Sequence, residues 1–232
     1  RYLPSSATFD VTGSRIFFEN KDDLRTCLSF LNSKVASHLM KSFNSTLALQ
    51  VDDVRKLPIA LSEVSPIPNY YEKLLLLARI DWDSYERSWN FKTSPLLESF
   101  SNLITLESSY NSWIKKTQEV ILTMKTFEEE NNRLFLEVYG LKDELTPNAP
   151  IEEITLTVNP AYRYKKFSEE DQKSRFQHDT IVEYLSYSVG CMMGRYSLDH
   201  PGLILADSLE SQEAHLTSYC LLYTSPSPRD NR

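Results

Sequence analysis

The sequence predicts a mainly α protein with a small α+β segment near its start, and three observations carry that expectation. Glycine is scarce, 5 in 232 residues against 11 prolines, 13 tyrosines and 11 phenylalanines, which suits long regular elements with proline stops better than many tight turns. Apolar residues recur at three- and four-residue spacing over long windows. Two early windows, residues 9–18 and 46–51, alternate instead with the period of a strand.

Residues 9–18, FDVTGSRIFF, read as a short hairpin or edge strand about a Gly-Ser turn. A helix follows. Asp22 and Asp23 place negative charge at its start, and Leu24, Cys27, Leu28, Leu31, Val35 and Leu39 form one buried stripe opposite Lys34, Ser37, His38 and Lys41. The helix is expected to fail at Phe43, Asn44 and Ser45, where Asn and Ser compete for backbone hydrogen bonds. Residues 46–51 then read as a strand, and Pro66 and Pro68 mark a linker. Beyond the next helix, Trp82, Trp89 and Phe91 read as packing anchors.

From Leu103 the positions Leu106, Tyr110, Trp113, Thr117, Val120, Met124, Phe127, Asn131, Leu134 and Val138 alternate spacings of three and four, a heptad seam. One helix over that seam would run on the order of 54 Å at 1.5 Å per residue and would need a partner along its length. Polar Thr117 and Asn131 interrupt the seam, either fixing register or ending one contact and starting another, and the acidic run 128–130 reads as a solvated face. Gly140 should stop the helix. Residues 154–158 follow as an extended piece, and a last helix covers about 169–195, where Gly190 and Gly194 have the spacing of a close-packing device and Met192 and Met193 read as core filler.

The expected organisation is a target-recognition-like segment at 1–64, a linker and helical connector at 65–102, a long spacer helix at 103–140 and a C-terminal helical region at 141–219. Residues 220–232 begin CLLYTSPSPRD, which reads as a translated sequencing adapter and is expected to be disordered. The opening Arg1 lies inside a strand-like stretch, so truncation upstream is expected.

A net charge of −7 argues against a general nucleic-acid coat, so any DNA contact should be local. Three widely spaced cysteines fit reduced thiols, and without an apolar span or leader the chain is expected in the cytoplasm and off the membrane. The four histidines lack metal-ligand spacing, so no metal site is expected. No glycine-rich loop of the cofactor-holding kind is present, and residues 159–162, NPAY, differ from the NPPY tetrapeptide that grips a flipped adenine. No catalytic residue and no cofactor are therefore assigned to this chain. The positive signal for DNA is a cluster at one helix-turn-strand junction: Lys34, Lys41, Asn44, Ser45, Thr46, Gln50 and Arg55. Lysines there suit phosphate, and the amides Asn44 and Gln50 suit a major-groove adenine edge.

Several blocks resemble one family. FLNSK, a polar turn and LALQVDDVRKLPI resemble target-recognition domains of N6-adenine methyltransferases and of type I restriction specificity subunits. DWDSYERSWNF, EEENNRLFLEVYGLKDELTP and GCMMGRYSLDHPGLILA resemble, in the same order, the C-terminal part of the PglX-type adenine-specific DNA methyltransferases of BREX phage-defence systems. The proline and second asparagine of that family's NPTLNF turn are missing at residues 44–49. The resemblance implies methyl transfer from S-adenosylmethionine to adenine N6 in a whole enzyme. It implies double-stranded DNA, an upstream methyltransferase domain and other BREX components as partners. The chain alone should bind or position without methylating. The alternative is a helical scaffold that docks other defence proteins through the seam and touches no DNA.

Overall fold

The computed structural model describes residues 16–44, 51–60, 70–98 and 105–204. Those residues are mainly helical, with no strand among them. The helices are α1 (Lys21–Leu31), α2 (Lys34–Phe43), α3 (Val51–Arg55), α4 (Tyr70–Asp83), α5 (Pro95–Glu98), α6 (Leu106–Val138), α7 (Pro160–Arg163) and α8 (Glu169–Met192). The expected early β segment is not seen. Residues 16–18 form no strand, Val51 opens a helix, and residues 9–15 and 46–50 lie outside the described residues.

The chain divides into two compact units, residues 1–77 with 122–154, and residues 78–121 with 155–232, so the division falls inside α4 and α6.

In the first unit α1 starts at Asn20, whose side chain accepts the Asp22 N–H at 2.9 Å. The single helix expected from the stripe is instead two. Ser33 is in extended conformation and its side chain caps α2 by accepting the Ala36 N–H, so the chain restarts there. The apolar spacing from Leu31 to Val35 keeps its phase across this break, which is why the stripe reads straight through it. The core is Phe30, Val35, Ala36, Leu57, Phe135 and Leu136. Phe30 meets Phe135 edge-on at 5.5 Å and stacks on Tyr139 at 5.3 Å, yet it falls outside the stripe. α2 ends at Phe43 and α6 at Val138, as expected. Gly140 takes a φ of 65°, and the Leu141 N–H returns to the Leu136 carbonyl at 2.9 Å, a Schellman closure.

The seam of α6 is buried where polar residues interrupt it: Thr117 is 6% exposed and Asn131 4%. Asn131 lies within the first unit. Its Nδ2 donates to the Ser29 carbonyl at 3.0 Å, one of the last-turn acceptors that α1 leaves unpaired. Asn132 beside it accepts the Lys34 N–H at 2.9 Å and donates to the Pro147 carbonyl at 3.1 Å. The acidic run is not a solvated face. All three residues are half-buried, Glu129 accepts the Ala149 N–H at 3.1 Å, and burial, with Glu153 nearby, pushes Glu128 up to about 7.

In the second unit Trp113 stacks on Phe176 of α8 at 5.5 Å, and Phe91, Tyr187 and Tyr196 form an aromatic cluster. The Asp81 carboxylate accepts the N–H groups of Thr157 and Val158 at 2.8 and 2.9 Å and fixes the turn they form before α7, where the expected extended piece 154–158 gives way to a turn. Gly194, with φ 74°, ends α8. The Tyr196 ring lies over Gly190, where a Cβ would come within 2.6 Å of it. Two packing expectations fail. Of the expected anchors Phe91 is buried but Trp82 and Trp89 are 42% and 89% exposed, and Met192 and Met193, at the end of α8, are 63% and 69% exposed.

Candidate functional site

Of the residues singled out for DNA, the described ones lie in the first unit: Lys34 opens α2, Lys41 stands in its last turn, Asn44 follows it as C-cap and Arg55 closes α3. Lys41 is exposed in the last turn of α2, where its charge also complements the helix dipole. Arg55 closes α3 and meets Asp52 at 3.4 Å, but both side chains are 76% exposed, so that ion pair is weak and leaves the guanidinium available to solvent.

Two other members have structural duties. The Lys34 ammonium donates to the Asn148 carbonyl, and its N–H is the one held by Asn132, so Lys34 anchors the start of α2. Asn44 is the C-cap of α2, and its Nδ2 donates to Asp53 Oδ2 at 2.6 Å. Asp53 is 8% exposed, which makes that bond a tie between the flanks of residues 45–50. Ser45, Thr46 and Gln50 themselves lie outside the described residues. Packing of Leu57, Val54 and Ile59 on the Phe30 core fixes α3. The Tyr139 hydroxyl adds to it by donating to the Pro58 carbonyl and accepting the Ala60 N–H.

The junction therefore offers two exposed cations, Lys41 and Arg55, beside carboxylates Asp52 and Asp53 at the start of α3. The Asn44–Asp53 tie could not be read from the sequence, because nothing local says that a cap on one helix meets a carboxylate of the next.

Two curated relatives match the chain nearly end to end. An "Adenine-specific methyltransferase BrxX" of Escherichia coli O9:H4 (strain HS) is 34% identical over 99% of this chain. An "Adenine-specific methyltransferase PglX" of Lacticaseibacillus casei (strain Zhang) is 32% identical over 89% of it. The chain is thus similar to adenine-specific methyltransferases named BrxX and PglX. The resemblance read from the motifs is borne out, and the chain spans 19% and 16% of the length of these two relatives. No family model matches it.

The described residues do not fit the cofactor of a methyltransferase. They contain no strand running into a glycine turn and a helix, and Gly140 and Gly194 spend their positive φ on ending helices. Asn159 of the NPAY tetrapeptide is 1% exposed and caps α7 by accepting the Ala161 N–H at 3.2 Å, a structural duty. Among the described residues no cluster of His, Cys, Asp or Glu could hold a metal ion, and no helix is long and apolar enough to cross a membrane.

Proposed function

We propose that this chain is a DNA-contacting part of an adenine-specific DNA methyltransferase of a BREX system, and that it positions the duplex while methyl transfer takes place elsewhere in the polypeptide. The observation that supports this reading is the 34% identity to a BrxX methyltransferase over 99% of the chain. In this reading Lys41 and Arg55 neutralise phosphates, Lys34 and Asn44 hold the ends of α2 in shape, and Ser45, Thr46 and Gln50 are proposed as further DNA contacts. With a net charge of −7 the chain can favour DNA only locally, and Lys41 and Arg55 are exposed cations in the first unit. S-adenosylmethionine, an upstream methyltransferase domain and other BREX components belong to the proposed whole enzyme, working in the cytoplasm.

The scaffold alternative is less favoured by the burial of Trp113, Thr117, Met124 and Asn131, each at most 8% exposed, although the other seam positions from Leu106 to Val138 are half-exposed.

Fluorescence anisotropy of a labelled duplex titrated with the chain at low salt tests the reading. Saturable binding that weakens as salt rises is expected, and no binding at low salt removes the DNA role.

A further inference from the structure

α8 buries one face through Phe176, Thr180 and Tyr187 and carries an apolar stripe on another. Val182, Leu185, Val189 and Met192 follow one another at spacings of three, four and three, the period of one helix face, and all four are exposed. Val182, Leu185 and Val189 line a surface groove together with Ser186, Gly190 and Arg195. A contiguous apolar stripe with a polar rim marks a contact surface, because covering it removes apolar area from water.

The described residues end beside this groove. Leu203 packs on the aromatic cluster of Phe91, Tyr187 and Tyr196, and the Ile204 N–H donates to the carbonyl of Arg195, a lining residue, at 3.0 Å. Position 205 is therefore set down near the C-terminal end of the stripe.

The sequence that follows has a matching pattern. Leu205, Leu209, Leu216 and Tyr219 share one face at helical spacing, with Gln212 as its polar member, and Asp207 and Glu210 fall on the opposite side. As a helix, residues 205–219 would reach on the order of 22 Å at 1.5 Å per residue, against roughly 15 Å from Val182 to Met192. The length suffices to run back along α8. A segment tethered at the edge of the groove also needs little intrinsic affinity, since a short link gives it a high effective concentration that a separate partner lacks. A second copy of the chain would have to displace it.

We propose that residues 205–219, which lie outside the described residues, run antiparallel to α8 as an amphipathic helix and cover its stripe with Leu209 and Leu216. The stripe is then a contact within the second unit, and not a surface for another molecule.

The test is a mutant cycle on the whole chain, followed by thermal melting and by a dye that fluoresces on exposed apolar surface. Leu209→Asp/Leu216→Asp should lower the melting midpoint by roughly 5 °C and raise dye binding, as the stripe is uncovered. Val182→Asp/Val189→Asp should lower the midpoint by a similar amount. The four changes together should cost little more than either pair, because both pairs remove one contact. Three results overturn the proposal. One is a midpoint and dye binding that Leu209→Asp/Leu216→Asp leaves unchanged. Another is full additivity of the two pairs. The third, read by sedimentation, is a dimer that Val182→Asp/Val189→Asp dissociates and Leu209→Asp/Leu216→Asp does not, which would give the stripe to a second copy.

Discussion

Asn132 accepts the Lys34 N–H at 2.9 Å across 98 positions of sequence, so α6 caps the first turn of α2 from outside. With Asn131 on the Ser29 carbonyl, two adjacent side chains of α6 satisfy both sides of the break between α1 and α2. The EEENNRLF wording acquires a physical meaning. Glu129, Asn131 and Asn132 hold backbone groups, and Phe135 fills the core below them.

Replacing Asn132 with Ala should therefore cost about 2 kcal/mol, because a half-buried N–H and a half-buried carbonyl each lose a partner. Urea denaturation followed by circular dichroism measures it. A change under about 0.5 kcal/mol, the usual size for an uninvolved surface site, would mean that the staple is not needed.

Glu128 gives a pH prediction with a definite sign. Its folded pKa is raised from 4.5 to about 7, so its neutral form favours the fold below pH 4.5, and that contribution is lost as pH rises through about 7. Glu128→Gln keeps a neutral group throughout. The variant should match the parent near pH 4.5 and exceed it by about 3 kcal/mol at pH 8. Equal stability at both pH values would place Glu128 in solvent.

Gly190→Ala should destabilise by about 1–3 kcal/mol through overpacking. The new Cβ would lie 2.6 Å from the Tyr196 ring, which packs against Phe91 at 5.4 Å and Tyr187 at 5.2 Å and has little room to move. Thermal melting checks this, and an unchanged midpoint would show that the ring yields freely.

Much of this architecture was legible because it rests on local chemistry. Gly140 and the end of α2 stand where backbone preference puts them, and the α6 seam follows from spacing alone. The break at Ser33 was hidden because the apolar phase runs through it, and its stabilising partners lie about 100 positions away on α6. Met192 and Met193 look like core by composition, but the helix turns them outward, and a composition cannot report a face. At the junction the spacing put Lys41 near the end of its helix, whereas the helix that Arg55 closes was read as strand and turn. It could not show that Lys34 and Asn44 are engaged, since their partners Asn148 and Asp53 come from other elements.

The central claim is that exposed cations at the end of α2 and of α3 meet DNA phosphates. The direct measurement is duplex affinity at two salt concentrations for the chain and for Lys41→Ala/Arg55→Ala. The predicted result is weaker binding to every sequence and a salt slope smaller by roughly 0.9 per lost phosphate contact, about 1.8 for the pair. Lys34→Ala should lower stability and leave the slope alone. Unchanged affinity and slope in the double variant would contradict the account.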